Sequence, residues 1–121
     1  MEPSDLGAVL RSSAVGGFGF EAAVELLVDH DVWLHRPDFA EAAVTVHDGQ
    51  ARVDWAEAWA FCNRAEAPAA ELCVLRIACS LADPSFKVGL GEVGCLDHRN
   101  LHLVQEALYT AMFGVEAPAT P

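Results

Sequence analysis

The stretch AAELCVLRIACSLA, residues 69–82, is the feature that most constrains how this chain can fold. Drawn on a helix at about 100° per residue, it is apolar on nearly every side, and only Arg76 and Ser80 form a polar seam. A helix of this kind has to be surrounded by other elements, because burying apolar surface is the main favourable term in folding. We therefore expect residues of about 69–82 to form the central helix of the domain.

The flanking segments show the spacing of further helices. FEAAVELLVDHD, from Phe20, repeats apolar residues three and four apart. Pro37 suits the first turn of a helix over PDFAEAAV, and Asp54 is a good N-cap for WAEAWAFCNRA. The sequence therefore predicts an all-α fold, a compact bundle of roughly five or six helices around residues 69–82, closed by a C-terminal helix over about 98–113.

The length of 121 residues predicts one domain spanning residues 1–121. Within it we expect residues 1–19 to be a loosely packed N-terminal segment, because SSAVGGFG is a glycine-rich break. A phosphate-binding loop would need Lys-Ser/Thr after the glycines or the G-x-G-x-x-G spacing, and this segment has neither. A hinge is therefore the better interpretation. Residues 115–121, VEAPATP, are expected to be a frayed tail.

The segment VTVHDGQARVDW, residues 44–55, fits two structures. Asp48-Gly49 between valine-rich flanks is typical of a tight β-hairpin. Alternatively, the preceding helix ends near His47, with Gly49 as its C-cap. We favour the helix–loop–helix version, since an isolated two-stranded ribbon is only marginally stable.

The chain is strongly acidic, with eighteen carboxylates against seven Lys and Arg residues and a formal net charge of −11. This charge repels nucleic-acid phosphates and anionic membranes, and no basic stripe offsets it, so we expect no nucleic-acid or membrane partner. A basic protein partner would be attracted.

Composition also bears on the compartment. The N-terminus, MEPSDLGAVLRSS, has acidic residues where a signal peptide needs a basic head, so we expect a cytoplasmic protein. The four cysteines lack any C-x-x-C pair, and in the cytoplasm they are expected to be buried free thiols: Cys62, Cys73, Cys79 and Cys95.

The last helix, LDHRNLHLVQEALYTAMFG, presents two neighbouring faces. Asp97 is its expected N-cap and Gly114 its C-cap. A stripe within about 100° of arc is expected to face the core: Leu101, Val104, Leu108, Ala111 and Met112. The adjoining arc mixes aromatic and polar groups and is the candidate interaction face: His98, His102, Gln105, Tyr109 and Phe113.

His98 and His102 are one helical turn apart, a spacing that helical metal sites use. A zinc site needs at least one more protein ligand, and Arg99 occupies the position where the zincin motif has its glutamate. We therefore favour no metal site and expect no cofactor.

Arg76 is expected to form a buried ion pair, because an unpaired guanidinium inside a core is very costly. Its candidate partners are Asp97, Asp83, Asp38 and Glu92. If the pair is buried, Arg76→Ala should destabilise the fold by several kcal/mol.

Three phrases together resemble a set of small, uncharacterised helical proteins of high-GC Gram-positive bacteria: WLHRPDF (33–39), VLRIACSLAD (74–83) and GCLDHRNLHLVQEAL (94–108). The resemblance implies a helical fold. It brings no activity, cofactor or site residue.

These observations favour a non-enzymatic protein–protein interaction or regulatory protein that self-associates, because no nucleophile lies in a recognisable catalytic frame. A basic protein is the other partner that we expect. The alternative is a protein that binds a small molecule or a metal through the His/Tyr face of the last helix. An enzyme is one version of this alternative.

Overall fold

The structure, a computed structural model, describes residues 2–114; the expected tail, 115–121, lies outside the described residues. The prediction of a mainly helical fold is confirmed, but the all-α class is wrong in one respect, since a small antiparallel sheet is present. In chain order the elements are α1 Pro3–Ser13, α2 Phe18–His30, α3 Pro37–Ala43, β1 Val44–His47, β2 Gln50–Val53, α4 Trp55–Cys62, α5 Ala69–Ala82 and α6 His98–Phe113. Two short 3₁₀ segments, Trp33–His35 and Leu90–Cys95, connect them.

Helix α5 lies in the interior over most of its length. Six of its side chains are buried, and none from Ala70 to Ala82 is fully exposed. It packs against α2, α4, α6 and the Leu90–Cys95 segment. The other central helix is α2, which has extensive contacts with both α5 and α6 and buries Leu26 and Leu27 almost completely. The core is therefore built around a pair of helices.

An aromatic cluster fills the space beside the N-terminal half of α5. Trp33, Phe39 and Phe61 pack with ring centroids 5.4–5.9 Å apart. The indole N–H of Trp33, which is fully buried, donates a hydrogen bond of 3.2 Å to the carbonyl of Glu71. This bond satisfies the one polar atom of the indole and fixes the 3₁₀ segment against α5.

Residues 44–53 form a hairpin, so the favoured helix–loop–helix interpretation of residues 44–55 is wrong. Val44 pairs with Val53 and His47 with Gln50, around a turn in which Asp48 and Gly49 have φ values of 51° and 75°. Positive φ at both central residues is the signature of a type I′ turn. The ribbon is stable because it does not stand alone: β2 packs on α1 and buries Ala51 and Val53.

The N-terminal segment, for which loose packing was expected, contains a docked helix. Leu6 and Leu10 of α1 are 6% and 1% exposed. Arg11 pairs with Glu25 and Asp29 of α2, and the Ser13 hydroxyl accepts a hydrogen bond from the Ala51 N–H. Apolar contacts and these polar links attach α1 to both α2 and the hairpin.

The ends of α6 are as predicted, but the side that faces the core is not. The Asp97 carboxylate accepts from the Asn100 N–H at 2.8 Å, and Gly114 ends the helix with φ of 92°. The residues directed inward are Asn100, Leu103, Val104 and Ala107. Of the predicted stripe only Val104 is buried, while Leu101, Leu108 and Met112 are 41%, 49% and 70% exposed.

The reason for this rotation is that α6 packs mainly on α2 and has fewer contacts with α5. Arg99 donates to the carbonyls of Asp29 and His30 at the C-terminal end of α2, at 3.1 and 3.0 Å. A cation is favourable there because the last carbonyls of a helix carry partial negative charge. The small Ala107 side chain is buried on the same side.

Candidate interaction surface

The outer side of α6 and the adjacent 3₁₀ segment present a set of large apolar side chains to solvent. Leu90 is 87% exposed and Val93 36%, and Tyr109 and Phe113 extend the set along the helix. We call this set the outer apolar face: Leu90, Val93, Leu101, Leu108, Tyr109, Met112 and Phe113. Soluble monomers rarely expose large contiguous apolar patches, so this face is the candidate contact surface.

A groove of about 180 Å³ connects the two parts of this face. Leu108 of α6 lines one part of it, and Leu90 and Val93 of the 3₁₀ segment line another. The floor is formed by Ile77, Leu81, Val88 and Val104, and Ser80 is the one polar side chain in the lining. The groove is therefore suited to an apolar side chain, because there is little in it to orient a polar ligand.

The predicted interaction residues all lie on the exposed side of α6. His98, His102 and Gln105 are exposed, and the rings of Tyr109 and Phe113 lie 4.7 Å apart. Tyr109 and Phe113 belong to the outer apolar face, and the three polar residues lie on the same exposed side of α6. Sequence periodicity therefore placed these residues on the surface, but not the leucines beside them.

The two histidines do not form a ligand site with other side chains. His102 Nε2 lies 2.6 Å from Glu106 Oε1, and both side chains are more than half exposed. Among residues 2–114 no group of three or more His, Cys, Asp and Glu side chains is arranged to hold a metal ion.

The charge of this surface differs from that of the chain as a whole. Helix α6 contains one Arg and one carboxylate, Arg99 and Glu106, which cancel, whereas the full chain carries −11. Two copies that approach through α6 therefore meet with less repulsion than the net charge of the whole chain would give.

Arg76 forms its ion pair with Glu92, at 2.9 Å between Nη1 and Oε1, and Asp97 serves as the cap of α6 instead. The pair is less buried than expected, since the two side chains are 36% and 43% exposed. Glu92 also accepts the Gly89 N–H at 2.9 Å. That backbone bond is the largest cause that holds the pKa of Glu92 below its ordinary value, and the neighbouring Arg76 lowers it further.

The expectation of four buried thiols holds for three of them: Cys62, Cys73 and Cys79 are buried, but Cys95 is exposed. The thiols lie in two neighbouring pairs, Cys62 with Cys79 and Cys73 with Cys95. The reason Cys95 departs is that it ends the Leu90–Cys95 segment, in which no residue is buried.

Sequence reasoning missed Leu90 and Val93 as surface residues. They lie in FKVGLGEVGCL, whose three glycines remove the regular spacing from which a face is recognised. Composition was the signal that could have identified them as surface residues, since two large apolar residues in a glycine-rich loop have no regular element to carry them into the core.

The fold and this surface define a mostly helical domain with one β-hairpin and an exposed apolar helix face. No protein-family model, curated protein or solved structure matches the chain. No helix within residues 2–114 has both the length and the apolar character needed to cross a bilayer.

Proposed function

We propose that the protein is a non-enzymatic interaction or regulatory protein that self-associates, and that the outer apolar face is the contact between two copies. The observation that carries the proposal is the exposure of Leu101, Leu108 and Met112 along one side of α6. Covering such side chains on association is favourable by roughly 25 cal/mol per Å² of apolar area removed from water.

A second copy is the occupant that the charges favour. The rest of the chain is acidic, and a basic partner would be attracted there, whereas α6 carries no net formal charge and offers apolar side chains. A pair of such faces is self-complementary, as a two-fold symmetric dimer requires. Leu90, at 87% exposed, is accessible to the groove beside Leu108 of the other copy.

The cysteines fit this role in the cytoplasm. They are free thiols within the described chain, which is the usual state in a reducing compartment. His98 and His102 lie on the exposed side of α6, where they are available to a protein partner.

Sedimentation velocity over a dilution series tests the proposal. The expected result is a monomer–dimer equilibrium in which the dimer fraction rises with protein concentration. Added sodium chloride should strengthen this association, because it screens repulsion between two acidic copies while leaving apolar contacts intact. A single monomeric species at every concentration would overturn the proposal. A dimer fraction that falls as salt is added would show that charge, and not the apolar face, drives association.

A further inference from the structure

Cys73 and Cys95 are brought together by the way the 3₁₀ segment folds back on α5. Both thiols lie within hydrogen-bond distance of one acceptor, the carbonyl of Glu92, at 3.5 Å from Cys73 Sγ and 3.1 Å from Cys95 Sγ. Because both sulfurs approach the same oxygen, the two thiols are neighbours. They are separated by 22 positions in sequence, so the pairing is a product of the tertiary fold.

The two thiols differ in access. Cys73 is 5% exposed, whereas Cys95 is exposed at the end of the 3₁₀ segment. Burial, followed by the contact with Cys95, raises the pKa of Cys73 to about 12. Cys95 is therefore the thiol that a reagent in solution reaches first, and Cys73 lies behind it.

We propose that Cys73 and Cys95 form a redox-active dithiol that a low-molecular-weight disulfide oxidises to an intramolecular disulfide. The Cys95 thiolate attacks one sulfur of the small disulfide, so that a mixed disulfide forms and one small thiolate leaves. The Cys73 thiolate then attacks Cys95 Sγ and expels the second small thiolate. In total the protein gives up two electrons and two protons, and the small disulfide becomes two thiols.

The first step assists the second. Cys95 is one of the causes that raise the pKa of Cys73, and its negative charge is absent once Cys95 is in a mixed disulfide. Gly91 and Gly94 lie in open space beside Cys95, so the segment has room to adjust to disulfide geometry.

The molecule contains its own control in the second thiol pair. Cys62 and Cys79 also lie next to each other, but they are 4% and 0% exposed, so a small disulfide cannot reach either sulfur in the folded state. The proposal therefore requires that oxidation be selective for Cys73 and Cys95.

The cross-link would fix the Leu90–Cys95 segment to α5. Because that segment carries Leu90 and Val93, oxidation would lock one edge of the outer apolar face. This consequence rests on the proposed function and is read out by comparing the sedimentation of reduced and oxidised protein. The disulfide itself is read out by mass, independently of association.

The test incubates the full chain with oxidised glutathione, alkylates the remaining thiols, and maps peptides by mass spectrometry. We expect the Cys73 and Cys95 peptides to be joined with the loss of two hydrogen atoms, and Cys62 and Cys79 to be alkylated. A persistent glutathione adduct on Cys95, a Cys62–Cys79 cross-link in folded protein, or no reaction at all would each overturn the proposal.

Two variants assign the order of the steps, with folding checked by circular dichroism. Cys73→Ala should accumulate a stable glutathione adduct on Cys95. Cys95→Ala, a change at an exposed position, should leave Cys73 unmodified. A glutathione adduct on Cys73 in Cys95→Ala would contradict the assignment of Cys95 as the attacking thiol.

Discussion

Gly19 of α2 lies against the carbonyl oxygen of Leu81 near the end of α5. A Cβ at position 19 would be 2.7 Å from that oxygen, which is closer than such atoms approach in proteins. The absence of a side chain at this one position therefore lets the two central helices meet, although glycine is a poor helix former.

Gly19→Ala should destabilise the fold by about 1–3 kcal/mol, because the backbone of α5 has to move to admit the methyl group. Urea unfolding followed by circular dichroism measures the change. Gly91→Ala is the matched control, since a Cβ there meets nothing within 4 Å. Equal stabilities for the two variants would show that α2 and α5 do not approach this closely.

Arg76→Met should lower the melting temperature by only a few degrees, because its ion pair with Glu92 is partly open to water and such pairs contribute little. Methionine retains the apolar stem that packs within α5. A double-mutant cycle with Glu92→Gln isolates the pair. A large coupling energy, with variants that unfold near room temperature, would show that the pair is buried, as the sequence led us to expect.

His30 should make stability depend on pH. Its side chain is 1% exposed, and burial followed by the charge of Arg99 lowers its pKa from the ordinary 6.5 to about 4. The unfolded chain therefore binds this proton more tightly than the folded one. The contribution of His30 to the free energy of unfolding is fully present above about pH 6.5. It falls by about 3 kcal/mol as the pH is lowered to about 4.

The measurement is the unfolding free energy between pH 7 and pH 4 for the parent and for His30→Gln. Carboxylates contribute to both curves, so the difference between the slopes reports His30. His47→Gln, whose side chain is 90% exposed in the parent, is the control. Parallel curves for the parent and His30→Gln would mean that His30 binds its proton equally well in the folded and unfolded chains, which would contradict the lowered pKa.

The limits of sequence reasoning are clearest at α6. Its ends were predictable, because Asp97 and Gly114 act through local backbone geometry. Its orientation was not, because periodicity defines an apolar arc but not the neighbour against which the helix packs. Arg99 at the end of α2 and the small Ala107 directed α6 onto α2, and Leu108 was left outside.

The prediction for residues 44–55 was wrong for a related reason. The Asp48-Gly49 signal was present, but the isolated ribbon was judged too weak to form. What stabilises it is burial of Ala51 and Val53 beside α1, a contact between segments about forty residues apart. In the same way, no local pattern brings Cys73 to Cys95.

The measurement that tests the account most directly compares Leu108→Glu with Val46→Glu by sedimentation velocity. Both parent side chains are 49% exposed, but Leu108 lies on the outer apolar face and Val46 on the hairpin. We predict that Leu108→Glu is monomeric at concentrations where the parent and Val46→Glu are dimeric, with all three equally folded. A Leu108→Glu protein that associates as strongly as Val46→Glu would contradict it.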